Sequence, residues 1–500
     1  MTSPPDSPTL PTASRRPAGA STVVSDLRWT RTVWSLLAVV CGALFLDGLD
    51  TSMMGVALPS IGRDLDLDAG SLQWIVSGYV LGFGGLLLLG GRTSDLVSRR
   101  SIFLVAVSIY GVASILSAGL SSEFAIVALR FLKGVAAAFT VPAGLSILTT
   151  TFAEGPARNR AFGIYTLGVA SGYSLGLVFG GLLTELGWRA TLLFPGPVAL
   201  ILVAVGLKVI PRTGTTGRVG LAHFDLGGAF TVTGSLLVLV YAVVEAPHRG
   251  WGDVWTLVPL AIGALLMTAF VVIESRHPRP LLRLGILRNL ALVHANLSGF
   301  ALFGSFAAFQ FVATLYVQNA LGWSPTTMAV AFLPIGVVVI LVAPRLAPVV
   351  GRLGTPASIL IGLLFSAAGY ALFLRATPGM PYVEFLLPTT VLFGIGFSLA
   401  FAAINGQATA GVADEEQGLA SGLVNTSLQV GTVVVLAVVS AVLTTAGAPV
   451  HDGLLPGQRA AVATIVGVLA ASVLLTAIVM AVQRRNVPAS SVSPVTAEAE

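Results

Sequence analysis

Five hundred residues that are 55% hydrophobic and only 10% charged describe a chain built for a bilayer, since soluble domains average about 25% charged residues. The net charge of +5 is spread over short segments between apolar runs, which excludes a nucleic-acid surface, and a single cysteine, Cys41, excludes an intrachain disulfide and multi-cysteine metal motifs. No G-x-x-x-x-G-K-[ST] loop occurs, so ATP is not the energy source and an ion gradient is the remaining drive.

Residues 1–30 are rich in Ser, Thr and Pro and hold no apolar run. They read as a disordered tail rather than a signal peptide, which needs its apolar core near the start. Fourteen apolar runs follow, from 33–59 to 460–482, each near the roughly 20 residues that a helix needs to cross a bilayer. Residues 484–500 are polar again and read as a second tail. An even number of spans puts both termini on one side. With the N-terminus inside, twenty basic residues fall in inside segments. Only Arg63, Arg189, Arg249, Arg375 and Arg459 fall outside. Arginine and lysine bias sets orientation, so both termini are expected in the cytoplasm.

The first run contains LDGLDTSMMGVALPSI, with Asp47 and Asp50 three residues apart and so on one helix face. An acid at the bilayer centre costs roughly 2.5–3.5 kcal/mol on insertion scales, and such acids face a protein or water-filled interior where they do work. The alternative is an ion pair that only fixes helix packing. The fourth run carries two bases, Arg130 and Lys133, again three apart. Arg130 lies nine residues from the outer end at Ser121, roughly 13 Å at 1.5 Å per residue, too deep for simple snorkelling. Asp50 is also nine residues from its outer end at Pro59, and Asp47 and Lys133 are each twelve from theirs. Equal depth predicts the pairs Asp50–Arg130 and Asp47–Lys133.

The break after the second run reads GGRTSDLVSRR. Gly91 permits a tight turn, Asp95 is placed near the start of the third span where a helix N-terminus favours an anion, and Arg99 and Arg100 anchor the inside face. The fifth run spaces Gly172, Gly176 and Gly180 by four, with Gly181 following. That stripe lets a neighbouring helix approach closely. The second half has no acid–base cluster. It offers Gln310, Gln318, Asn405, Asn425 and Gln429 as polar cavity candidates beside many phenylalanines, a minority of which are expected to line a pocket. His223, His248, His277, His294 and His451 sit near span ends and read as surface residues rather than metal ligands.

Together these segments resemble the major facilitator superfamily. Gly91, Asp95, Arg99 and Arg100 match its G-x-L-S-D-R-x-G-R-R loop, although Leu96 and Ser98 depart from it. Arg130 and Gly134 match R-x-x-Q-G, with Lys133 in place of glutamine. Leu49, Asp50, Thr51, Ala57, Leu58, Pro59 and Ile61 are similar to the first span of the fourteen-span drug:proton antiporters, where Gly55 replaces an asparagine and Asp47 is additional. The fifth-run stripe resembles the antiporter G-x-x-x-G-P-x-x-G-G, with Leu177 in place of proline. Gly418–Gly422 with Asn425, Thr426, Gln429 and Gly431 resembles the family's thirteenth span.

The resemblance implies an all-α polytopic membrane protein with two six-helix bundles, 31–211 and 286–483, and a two-helix insert at 212–285. It implies rocking of the bundles about a central cavity, with Asp95 as a gate latch. The implied function is proton-coupled efflux of small, amphipathic, often cationic compounds, with proton and substrate binding the same carboxylates in turn. The protein would work as a monomer in the cell membrane, without cofactor or metal, and contribute to antibiotic resistance. A proton-coupled importer of a small metabolite is the alternative. An enzyme is excluded, since no nucleophile–base pair stands out.

Overall fold

The computed structural model describes residues 30–485 apart from 97, 153–155, 213–224, 278–279, 281, 413–416 and 446–456. Most of both expected tails therefore lies outside the described residues, as do Asp414, Glu415 and Glu416 and most of the break after the sixth run. Everything described is helix or short connection. The long helices are α1 (Arg31–Leu65), α2 (Ala69–Leu96), α3 (Arg99–Ala118), α4 (Glu123–Thr151) and α5 (Pro156–Leu186), followed by a broken pair, α6 (Trp188–Leu193) and α7 (Pro195–Val209). Next come α8 (Leu226–Arg249) and α9 (Val254–Arg276), a 3-10 turn at Leu284–Arg288, α10 (Leu290–Leu315) with a π turn at Tyr316–Ala320, and α11 (Pro325–Leu353). The last are α12 (Thr355–Phe373), α13 (Tyr382–Thr409), α14 (Gln417–Thr445) and α15 (Gln458–Arg485). Twelve helical segments among the described residues are long and apolar enough to cross a membrane, and a shorter apolar stretch covers Gly227–Val243.

Helices α1 to α7 pack on one another, and so do α10 to α15. The two sets meet mainly where α2 lies on α14 and α5 on α11, with α1 touching α10 between them. Helices α8 and α9 pair with each other, and α8 leans on α2 and α14. Small residues set these distances. Gly82 and Gly90 of α2 and Gly134 of α4 face the partner backbone so closely that any side chain there would collide with it. Three differences from the sequence reading matter. Helix α1 does not stop at Pro59 but runs to Leu65, where Asp66 in the left-handed conformation (φ 52°) ends it. Helix α2 runs through to Leu96, so Asp95 sits in its last turn rather than at the start of α3, and its side chain lies outside the described residues. His294 is not at the surface; it is buried in α10, with Nδ1 2.6 Å from Gln407 Nε2 and Nε2 2.8 Å from Thr476 Oγ1, tying α10 to α13 and α15.

Candidate functional site

The charged residues of α1 and α4 meet inside the first helix set. Asp50 is 1% exposed and Lys133 0%, with Arg130 equally enclosed. Arg130 Nη1 donates to Asp50 Oδ2, and Lys133 Nζ donates to Asp50 Oδ1 at 2.6 Å. Both bases thus take the same carboxylate, one on each oxygen. This corrects the expected Asp47–Lys133 pair. The expected Asp50–Arg130 pair is made, so α1 and α4 lie at the expected relative depth. Lys133, on the same face of α4, reaches the same acid, and Asp47 takes the Tyr79 hydroxyl instead. Two bases one helical turn apart bracket one acid instead of matching two.

The surroundings engage further donors of both bases, as buried charges require. Arg130 Nε donates to the Ile75 carbonyl at 3.1 Å, and the guanidinium lies 4.8 Å from the Tyr79 ring centre. Lys133 Nζ is 3.3 Å from Ser114 Oγ, whose own hydrogen goes to the Leu192 carbonyl at 2.6 Å, and 4.7 Å from the Tyr110 ring centre. Both cations therefore rest on aromatic faces, an attraction that strengthens once the cation is desolvated.

Asp47 has a different setting. It is half-buried, accepts a hydrogen bond from the Tyr79 hydroxyl, and borders a small cleft with Tyr110 and Thr140 between α1, α3 and α4. Tyr79, Tyr110 and Ser114 complete the site but were not singled out from sequence. Their one signal was a hydroxyl inside an otherwise apolar run, which by itself is common in membrane helices.

The glycine stripe of α5 serves two neighbours. Gly172, Gly176 and Gly180 lie against the α1 backbone at Phe45, Leu49 and Met53, and a methyl at Gly180 would come within 2.9 Å of Met53 Cα. Gly181 turns to the other helix set, where a methyl would stand 2.8 Å from Thr326 Cα and 3.1 Å from the Pro325 carbonyl. Further links across the sets are Gln318 Nε2 to the Val56 carbonyl at 3.0 Å, Ser440 Oγ to the Ala69 carbonyl at 3.2 Å and Tyr173 hydroxyl to Gln310 Oε1 at 2.7 Å. The first two and the Gly181 contact gather at the end that holds the turns 65–69 and 320–325. Gly181→Val is expected to disrupt this closure. Overpacking typically costs about 1–3 kcal/mol, so transport should fall roughly tenfold and a cysteine placed nearby should react faster with a water-borne thiol reagent.

Of the other polar candidates, Gln429 packs its Cβ 2.6 Å from where a methyl on Gly84 would sit, again across the two sets. Asn405 and Asn425 donate to Phe401 and Ser421 carbonyls of their own helices, so the structure does not bring them to the charged cluster. Arg100 donates to the Leu207 and Ile210 carbonyls at 2.6 Å each, closing the C-terminus of α7. Gly91 does not form a turn: it lies inside α2, which continues to Leu96, with open space around it. The half-buried rings of Phe303, Phe306, Phe397 and Phe401 form one aromatic face, which Tyr173 joins from the other set at 5.7 Å from Phe306. Phe309 and Phe311 are instead buried core residues.

Comparison with known proteins agrees with this architecture. The chain is 38% identical over 465 residues to the puromycin resistance protein pur8 of Streptomyces alboniger, covering 89% of this chain and 90% of that one. It is 36% identical over 415 residues to the cephamycin export protein CmcT of Amycolatopsis lactamdurans, covering 82% and 85%. Among solved structures, a peptide transporter POT in complex with sulfate superposes with a TM-score of 0.66 at 16% identity, over 91% of this chain and 94% of that one, which shows a shared fold. The family model of the Major Facilitator Superfamily matches residues 40–436, and the chain belongs to that superfamily: it is a transporter, not an enzyme.

Proposed function

We propose that this protein is a proton-coupled exporter of small amphipathic compounds, of the fourteen-span drug:proton antiporter type. Its relatives include named resistance and export proteins, which favours efflux over the importer alternative. Two further helices support the count of fourteen. These are α5, 31 residues long, and α8, 24 residues long, placed between spans that already qualify. On this reading α8 and α9 are the insert between two six-helix bundles, and the basic-residue bias places both termini in the cytoplasm. The end closed by Gly181, Gln318 and Ser440 is then the outer face, so the structure is shut to the outside.

The observation that carries the proposal is the separation of the two kinds of site. Asp50 is enclosed within one bundle, with both oxygens taken by Arg130 and Lys133. The aromatic face of Phe303, Phe306 and Phe397, with Tyr173 and Gln310, lies where the bundles meet. An amphipathic substrate stacks on that face, and the proton acts on Asp47 of α1. This favours coupling through movement of α1 rather than direct competition for one carboxylate. Helix α1 connects the two sites: its Val56 carbonyl accepts from Gln318, and Gly55 leaves the space that Gln310 approaches. Everted vesicles should accumulate a fluorescent amphipathic cation when energised, and an uncoupler should abolish the uptake. Accumulation that survives the uncoupler would remove the proton from the mechanism.

A further inference from the structure

A pair of buried acids lies outside the charged cluster, where the two helices α8 and α9 meet the chain leading to α10. Asp225 caps the N-terminus of α8: its Oδ1 accepts from the Gly228 amide at 2.7 Å, and the residue is 2% exposed. Glu274 sits in the last turn of α9, is 3% exposed, and its Oε2 accepts from the Leu282 amide at 3.1 Å. Each carboxylate thus has one oxygen engaged by a backbone N–H. The other two oxygens, Asp225 Oδ2 and Glu274 Oε1, are buried and have no hydrogen-bond donor among the described residues. Both lie above the same glycine, 2.8 and 2.7 Å from the point where a Gly228 methyl would stand. Among the described residues, the charged or titratable groups that act on the pair are these two acids and His277, whose Nδ1 is 3.9 Å from Asp225 Oδ2.

Two bare carboxylate oxygens facing each other out of water are unfavourable on two counts, lost solvation and like-charge repulsion. A single proton removes both: the protonated acid donates to its neighbour through a short charge-assisted hydrogen bond. We infer that Asp225 and Glu274 form a proton-binding site that latches the connection between α9 and α10, separate from the acids of α1. With the proton in place, Glu274 is held over Gly228 and its second oxygen keeps the Leu282 amide. Without it, the carboxylates part, Glu274 swings away, and the segment leading through Leu284–Arg288 into α10 is released. Gly228 is required because any side chain would wedge between the two oxygens.

The test is hydrogen exchange on the full-length protein in nanodiscs, read at the Leu282 amide and corrected for intrinsic rates. In the wild type, protection should be high on the acid side of the transition and fall about tenfold or more on the alkaline side, one pKa unit of differential interaction being a factor of ten. Glu274→Gln mimics the protonated acid, since its amide nitrogen donates to Asp225 and its oxygen still accepts from Leu282. It should stay protected throughout. Gly228→Ala should be unprotected throughout. Infrared difference spectra should show a protonated carboxyl band in the wild type that is absent in Glu274→Gln. A pH response that persists unchanged in Glu274→Gln would overturn the proposal. So would wild-type protection that follows added calcium or magnesium instead of pH, which would make the pair a cation site. None of these readouts depends on transport, so they stand or fall apart from the exporter reading.

Discussion

Asp50→Asn is expected to abolish uphill efflux and to destabilise the protein at the same time. The carboxylate is the shared partner of Arg130 and Lys133, and all three side chains are out of solvent. An asparagine offers one acceptor and turns an NH2 group toward the other base, so at least one buried cation loses its partner. Removing one member of a buried ion pair typically costs about 3–5 kcal/mol, whereas removing both can be nearly neutral. The melting temperature of purified Asp50→Asn should therefore fall by several degrees. Adding Lys133→Gln should restore part of it, because the two amides can hydrogen-bond to each other while Arg130 loses its carboxylate but keeps the Ile75 carbonyl as an acceptor. Transport should stay lost in both. The contrasting double mutant, Asp47→Ala with Lys133→Gln, should show no such recovery, since Lys133 spends its short contact on Asp50. Unchanged stability in Asp50→Asn would mean that the cluster is looser and wetter than the geometry indicates.

How far this site was legible in the sequence depended on which physical signal each residue carried. Charges inside apolar runs are conspicuous because they are costly, so Asp47, Asp50, Arg130 and Lys133 stood out, and the structure brings all four into one region between α1 and α4. The glycine stripe was equally visible, and its spacing does place α5 on α1. What spacing could not say was that Gly181 faces the second helix set, because a periodic stripe has no label for which neighbour it meets. Pairing was legible in part: equal depth gives Asp50–Arg130, but depth alone does not show that Lys133, one turn along the same face, also reaches Asp50 and leaves Asp47 to Tyr79. Helix ends are hidden where apolar sequence continues past a proline, so Pro59 reads as a stop but lies inside α1. Tyr79, Tyr110 and Ser114 were invisible for a simpler reason: a hydroxyl costs little in a helix, so only its neighbours reveal its use. Position near a span end does not imply exposure: three helices converge on His294 and bury it.

Asp47→Asn should separate proton movement from substrate movement. Asp50 presents no free oxygen to an arriving proton, since each is engaged by a cation. Asp47, half-buried, accepts from the neutral Tyr79 hydroxyl and borders the cleft with Tyr110 and Thr140, so it keeps lone pairs that a proton can reach. On the exporter reading, Asp47 is the residue that carries the proton between the two sides and Asp50 the fixed anchor that holds α1 to α4. Asparagine at 47 still accepts from Tyr79 and leaves the Asp50 contacts in place, so the fold should hold, with a melting temperature close to that of the wild type. In proteoliposomes the variant should exchange labelled substrate across the membrane at a rate near the wild type, yet fail to concentrate it when a pH gradient is imposed. A trapped pH dye should report no proton flux with substrate. Asp47→Glu, which keeps a titratable group one methylene further out, should recover part of the concentrating activity. If Asp47→Asn concentrates substrate as well as the wild type, the proton is carried elsewhere, and the cleft beside Tyr110 has no part in coupling.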